Sequence, residues 1–165
     1  MSEFSIRCSL PEPYPYVKYT ELNRYDTLML KNLLQLKLYS FCEYIFASVL
    51  LRDNYPELSD IYDCISISEL KHIKLIGRML SGKVLLNELI TGNGRKTKKQ
   101  FSSNFTSPHE IIVRSLEGEK EAVSNIKLVN SQLHNKEATA LLARIGADDE
   151  HHAEILAHLG HRYSE

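Results

Sequence analysis

Residues 141–156 read LLARIGADDEHHAEIL, and within them Asp149 stands three positions before His152. Residues 67–80 read ISELKHIKLIGRML and repeat this spacing with Glu69 and His72. Around both pairs, apolar residues recur every three or four positions, which is typical of one face of an α-helix. Positions i and i+3 of a helix are neighbours, so each carboxylate and its imidazole can reach one common point. The two stretches therefore predict two helices with ligand-type side chains on their core faces.

Two further predicted helices bring a polar residue to the core face. One carries Glu119 in an apolar stripe, and the other carries Lys37 on the face that also holds Tyr44. Carboxylate-x-x-His on two helices, with one carboxylate from each of two more, is the ligand set of a dinuclear metal site in a four-helix bundle. Lys37 stands where the fourth carboxylate is expected. Imidazole and carboxylate together suit iron, manganese or zinc.

The periodicity predicts an all-α chain, an antiparallel four-helix bundle over residues 21–160. We expect helices over residues 22–52 and 57–80. A third runs from an N-cap at Ser107 to a break at Asn135, and a fourth covers 136–158 and ends at Gly160. Residues 82–106 would form one long crossover between the second and third helices. The basic run at 95–99 within it is interpreted as a solvated loop.

Residues 1–20 are predicted to form an extended N-terminal arm. Pro11, Pro13 and Pro15 alternate there, and proline cannot continue a helix. Tyr14 and Tyr16 are expected to pack against the bundle.

The composition is that of an ordinary soluble protein, with 165 residues, 43% hydrophobic and 25% charged. A net charge of −1 provides no field that would attract nucleic acid or an anionic membrane. No unbroken apolar run approaches the roughly 18 residues that indicate a membrane span. We therefore expect neither nucleic acid nor membrane as a partner.

The three cysteines, Cys8, Cys42 and Cys64, have no close spacing. An odd number without C-x-x-C argues against a disulfide framework and against a thiolate zinc site. Cys42 and Cys64 fall in helical patterns, so the sequence predicts buried thiols and favours the cytoplasm. The first helix is apolar on more than one side, as is typical of a central helix or of one that faces a partner subunit.

The segments PEPYPYV (11–17), ISELKHIKLIGRML, LEGEKEAVSNI (116–126) and LLARIGADDEHHAEIL together resemble the ferritin-like superfamily, especially its rubrerythrin-like and manganese-catalase-like members. The resemblance covers most of the chain from position 11 to 159. It implies that Glu69 and Asp149 are bridging carboxylates, His72 and His152 terminal imidazoles, and Glu119 a terminal carboxylate. The family has glutamate where this chain has Asp149 and where it has Lys37. Tyr44 lies nearly in line with Lys37 on the first helix.

Lys37 leaves three alternatives. In the first, one iron or manganese ion binds near His152 while the ammonium neutralises Glu69. In the second, two ions bind and the lysine is displaced or neutral. In the third, no metal binds and the lysine forms a buried ion-pair network with the carboxylates. We favour the first or the third. The resemblance implies an oxidoreductase that uses peroxide or oxygen, with Lys37 and Tyr44 as candidate catalytic residues. The alternative is a metal-poor bundle with a structural or interaction role, dimeric through its first helix.

Overall fold

A computed structural model describes residues 7–16, 21–80 and 107–164. In these ranges the chain is all-α, with four helices and no strand. The helices are α1 (Arg24–Leu51), α2 (Pro56–Met79), α3 (Pro108–Gln132) and α4 (Lys136–Arg162). These bounds confirm the predicted helices to within a few residues. The predicted crossover at 82–106 lies outside the described residues.

Local sequence explains where three of the helices begin. The side chains of Asn23, Ser107 and Asn135 each accept a hydrogen bond from the backbone N–H three residues on, which satisfies a free donor in the first turn. The N-cap at Ser107 and the break between helices at Asn135 confirm the predictions for these two residues. Gly160 was wrongly expected to end the last helix, because the backbone ladder continues past it and Tyr163 still bonds to Leu159.

The helices pack closely in two pairs, α1 with α2 and α3 with α4. The pairs are joined at both ends by side chains. At one end, Asp26 in the first turn of α1 accepts the backbone N–H groups of His134 and Asn135 at 3.2 and 3.0 Å. At the other end, Arg162 of α4 lies 3.3 Å from Glu57 of α2. These contacts make one bundle-like body of the two pairs.

Two buried apolar clusters fill the interior, one towards each end. The first includes Leu34, Ile76, Ile126 and Ile145, and the second includes Tyr44, Ile65, Ile112 and Leu156. On every helix, the stretch between the two clusters carries the buried polar residue or residues that the sequence pattern singled out. The fold therefore places a polar layer between two apolar halves.

The arm over residues 7–16 lies against α2 and α4. Tyr14 packs as expected, but Tyr16 is 85% exposed, so that part of the expectation was wrong. Cys8 of the arm forms a disulfide with Cys64 of α2, with 5.8 Å between the Cα atoms. The prediction that these cysteines stay unpaired is therefore wrong. The two residues are 56 positions apart, and their proximity depends on where the arm packs, which the spacing of the cysteines does not reveal.

The outer face of α1 is apolar and exposed. Val49 is 65% exposed and Leu50 46%, and Cys42, expected to be buried, is an exposed free thiol. By length and composition α1 is a candidate membrane span, a property shared with core helices of soluble proteins; a third of its most apolar window is buried. Lys31, Lys37 and Glu43 interrupt the apolar residues of α1, so the helix contains no long unbroken apolar run. Within the bundle, α1 also carries the buried ion pairs of Lys37.

Candidate metal centre

The polar layer assembles the six core-facing polar residues that the sequence predicted. Lys37 comes from α1, Glu69 and His72 from α2, Glu119 from α3, and Asp149 and His152 from α4. All six side chains are at most 2% exposed. The prediction that all six residues lie on the core faces of their helices is therefore confirmed.

Lys37 lies between the two carboxylates that the resemblance assigns as bridges. Its Nζ donates to Glu69 Oε1 at 3.0 Å and to both oxygens of Asp149 at 2.6 and 2.7 Å. Burial opposes the charged form, but Asp149 and Glu69 outweigh it and raise the pKa of Lys37 above its usual value. The amine is thus a fixed cation inside the carboxylate cluster.

One ammonium does not neutralise the three carboxylates of the layer. Burial raises the pKa of Asp149 to about 7; Lys37 opposes this, while Glu69 and Glu119 add to it. The pKa of Glu69 is lowered, because Lys37 and the hydrogen bond from His72 together exceed the effect of burial. The remaining negative charge can be balanced either by protonated histidines of the layer or by a cation beside Asp149 and Glu119.

A group of four side chains offers ligand atoms for that cation. One ligand atom from each of Glu69, Glu119, Asp149 and His152 lies within 4.8 Å of every other. Three buried atoms of this group, Glu69 Oε2, Glu119 Oε2 and His152 Nδ1, have no hydrogen-bond partner. Buried polar atoms are rarely left unpaired, and a metal ion between them would satisfy all three. The donor set fits a transition metal with one imidazole and three carboxylates.

The orientation of His152 supports ligation through Nδ1. Its Nε2 lies 2.6 Å from the carbonyl oxygen of Cys8. A carbonyl only accepts, so Nε2 carries the hydrogen and Nδ1 faces the cluster, 3.4 Å from Glu119 Oε1. Burial lowers the pKa of His152, but Glu119 and the other carboxylates raise it to about 9, so metal binding would displace a proton from Nδ1.

His72 lies on the Lys37 side of the layer and is held at both nitrogens. Nδ1 is 3.2 Å from Glu69 Oε1, and Nε2 is 3.1 Å from Asp148 Oδ2 and from the Tyr14 hydroxyl. Tyr14 also donates to Asp148. Both ring nitrogens are therefore engaged where the resemblance implied a terminal metal ligand.

Asp148 is a site residue that the sequence argument missed. It is fully buried, and it also accepts the backbone N–H of Leu10 at 2.8 Å and lies 2.7 Å from Arg144. Burial favours its neutral form, yet the hydrogen bonds from His72, Tyr14 and Arg144 lower the pKa of Asp148. The spacing of Arg144 and Asp148, four residues apart, was the available signal.

Tyr44 contacts the layer through one residue. Its hydroxyl donates to Glu119 Oε1 at 2.5 Å, and burial together with the charge of Glu119 raises the pKa of Tyr44 well above its usual value. A protonated Tyr44 thus donates to Oε1 of Glu119, while Oε2 has no hydrogen-bond partner.

A cavity of about 330 Å³ lies between α1 and α3 and reaches the layer at Lys37. Small residues of α3, Gly118 and Ala122, form part of its wall, and Glu43 and Asn125 add polar groups. No neighbouring atom lies within 4 Å of the position that a Cβ on Gly118 would occupy. The described part of the chain therefore leaves room for a small molecule beside Lys37.

The described residues thus define an all-α protein with a buried acid–histidine cluster that can hold a metal ion. No known protein-family profile matches the chain, and no curated protein matches its sequence. The geometry of the cluster carries the functional argument.

Proposed function

We propose that this chain is a ferritin-like metal-carboxylate protein that binds one iron or manganese ion through Glu69, Glu119, Asp149 and His152. The observation that carries the proposal is the asymmetry of the polar layer. The Lys37 ammonium contacts both bridging carboxylates, whereas three other buried ligand atoms of the layer have no hydrogen-bond partner. Lys37 takes the position of the second ion of a dinuclear site.

The ferritin-like, antiparallel arrangement is part of the proposal. Residues 52–55 join α1 to α2 and residues 133–135 join α3 to α4, and such short connections suit antiparallel neighbours. The end contacts of Asp26 and of Arg162 support an α1 that runs antiparallel to α3 and an α4 that runs antiparallel to α2.

We further propose an oxidoreductase activity towards peroxide or oxygen. A bound iron or manganese ion would supply one-electron chemistry and an open coordination position. The chain's own groups have distinct tasks. Tyr44 holds one oxygen of Glu119, and Lys37 keeps Asp149 and Glu69 in place. The α1–α3 cavity gives a small oxidant a position beside Lys37. The ammonium of Lys37 would also favour an anionic product beside it.

A second candidate function is a metal-free bundle with a structural or interaction role. The observation that favours it is the charge balance of the layer. Glu69, Glu119 and Asp149 are matched by Lys37 and by two histidines whose pKa values are raised. In that case the layer is an ion-pair network, a feature that specifies packing more than it adds stability.

Peroxide turnover separates the two candidates. Protein loaded anaerobically with Mn²⁺ or Fe²⁺ and freed of excess metal should consume hydrogen peroxide. Glu119→Gln should lose metal and activity together, because it removes a ligand. The control is Glu117→Gln, on the exposed side of the same helix, which should match the parent. Metal retention without turnover would reject the enzyme, and turnover unchanged in Glu119→Gln would reject this site.

The remaining proposals concern the oligomeric state, the cellular location and the partners of the protein. We propose a homodimer through the exposed face of α1, a cytoplasmic location, and no nucleic acid or membrane as partner. The Cys8–Cys64 disulfide removes one support for the cytoplasm, since disulfides persist mainly in oxidising compartments.

A further inference from the structure

The arm over residues 7–16 is fastened to both helices that supply the histidines. The disulfide joins Cys8 to Cys64 on α2, and the hydroxyl of Ser9 lies 2.9 Å from that of Ser68 on the same helix. Towards α4, the side chain of Arg144 donates to the carbonyl of Leu10 at 2.8 Å. The arm thus contacts α2 and α4 in alternation and lies beside the histidines of the polar layer.

The arm also contacts the outer nitrogen of each imidazole. The carbonyl of Cys8 lies 2.6 Å from His152 Nε2, and the hydroxyl of Tyr14 lies 3.1 Å from His72 Nε2. Outer partners of this kind fix the tautomer and ring orientation of metal-binding histidines. The partner of His152 is the backbone carbonyl of Cys8, one of the two disulfide-bonded residues.

We propose that the arm is a disulfide-fastened strap that sets the metal affinity of the site, so that reduction of Cys8–Cys64 weakens metal binding. The inference rests on the proposed metal site. With the disulfide intact, the Cys8 carbonyl holds Nε2–H of His152 and directs Nδ1 at Glu69, Glu119 and Asp149. With it broken, Cys8 is released from α2, and the imidazole loses the partner that orients it.

The reductant is a dithiol. Its thiolate attacks the sulfur of Cys64, which is partly exposed whereas Cys8 is 2% exposed, and Cys8 leaves as a thiolate. The second thiol of the reagent then attacks the mixed disulfide and releases Cys64. Two electrons and two protons pass to the protein, which gains two thiols, and the reagent becomes a cyclic disulfide.

The experiment measures the dissociation constant of Mn²⁺ for the parent in three states: oxidised, reduced and re-oxidised. The dithiol is removed by anaerobic gel filtration before each titration, because thiols bind metals. Loss of an outer histidine partner typically lowers metal affinity about 10- to 100-fold. We expect a weakening of that size on reduction, with unchanged helix content, and recovery on re-oxidation.

Two variants complete the test. Cys64→Ser should bind Mn²⁺ as weakly as the reduced parent and should not respond to the dithiol. Cys42→Ser, at the exposed free cysteine, should respond like the parent. Equal affinity for Mn²⁺ in the oxidised and reduced states, or loss of helix content on reduction, would refute the proposal that the strap sets metal affinity. No binding in the oxidised parent would instead overturn the metal site, and the strap's role with it.

Discussion

At the scale of single residues, Lys37 is the position where this chain departs from the ligand set of a dinuclear site. Its buried ammonium contacts Glu69 and Asp149. It fills the space, and neutralises the carboxylate charge, that a second metal ion would require. Removing one partner of a buried ion pair is strongly destabilising, because it leaves the other charge buried and uncompensated. The intact pair adds little to the free energy of unfolding compared with apolar residues of similar size. The lysine is therefore compatible with the fold only together with its carboxylates, and we propose that it limits the layer to one further cation.

Lys37→Glu should raise the metal content from one ion towards two per chain. The new carboxylate would supply the missing ligand beside His72 and remove the positive charge that excludes the second ion. Elemental analysis of metal-loaded parent and variant measures this directly. Lys37→Met is the matched control, since it removes the charge without adding a ligand and should not reach two. A glutamate variant with no more metal than the parent would refute this account of Lys37.

Residue-level prediction worked where helical periodicity alone decides position. Glu69, His72, Glu119, Asp149 and His152 are all buried because each lies on the core stripe of its own helix. The local pattern within one helix determines that, whatever the helix packs against.

The contacts of the arm could not be predicted in this way. Leu10 meets Asp148 across 138 positions, and Cys8 meets Cys64 across 56. The arm has no helical or strand periodicity, and its place is set by single hydrogen bonds and one disulfide. The i, i+4 spacing from Arg144 gives a local signal for Asp148, but its contacts with the arm and with His72 could not be predicted from that spacing.

At the scale of elements, Asp148 joins the arm, α2 and α4. It accepts hydrogen bonds from Leu10 and Tyr14 of the arm, lies 3.1 Å from His72 of α2, and pairs with Arg144 of its own helix. These bonds hold the pKa of Asp148 below its usual value, against the effect of burial.

Asp148→Asn should lower the free energy of unfolding by about 3 kcal/mol at pH 7, as expected for breaking a buried ionic contact. A carboxyl with a depressed folded-state pKa adds stability above its unfolded pKa of about 4, and loses it as the pH falls through the lower folded value. The difference between parent and variant should therefore shrink below about pH 4. Urea unfolding of metal-free protein at several pH values measures it. Glu154→Gln, on the exposed face of α4, is the control, and an undiminished difference at low pH would contradict the assignment.

At the scale of the whole molecule, the exposed apolar face of α1 needs an explanation that the bundle interior does not provide. Val49, Leu50 and Ile45 form a contiguous apolar surface on the second half of the helix, with exposures of 65%, 46% and 39%. Large exposed apolar patches commonly mark interfaces. A second copy of the chain is the occupant we propose.

The parent should sediment as a dimer, and the double variant Val49→Glu, Leu50→Glu should be monomeric with unchanged helix content, because charges are costly in an apolar interface. Ile67→Glu is the control, at a 69% exposed apolar position of α2, and should stay dimeric. A monomeric parent would refute the dimer. A monomer that binds lipid vesicles, and loses this binding in the double variant, would assign the face to a membrane instead.

The most direct test of the account is the metal content of the parent, measured by elemental analysis after purification without chelator or affinity-tag metal and again after anaerobic loading with iron or manganese. The account predicts one ion per chain, lost in Glu119→Gln and His152→Ala and retained in Glu117→Gln. Two ions per chain would show that Lys37 does not take the place of a metal. No metal after loading would contradict the site and leave the polar layer as an ion-pair network.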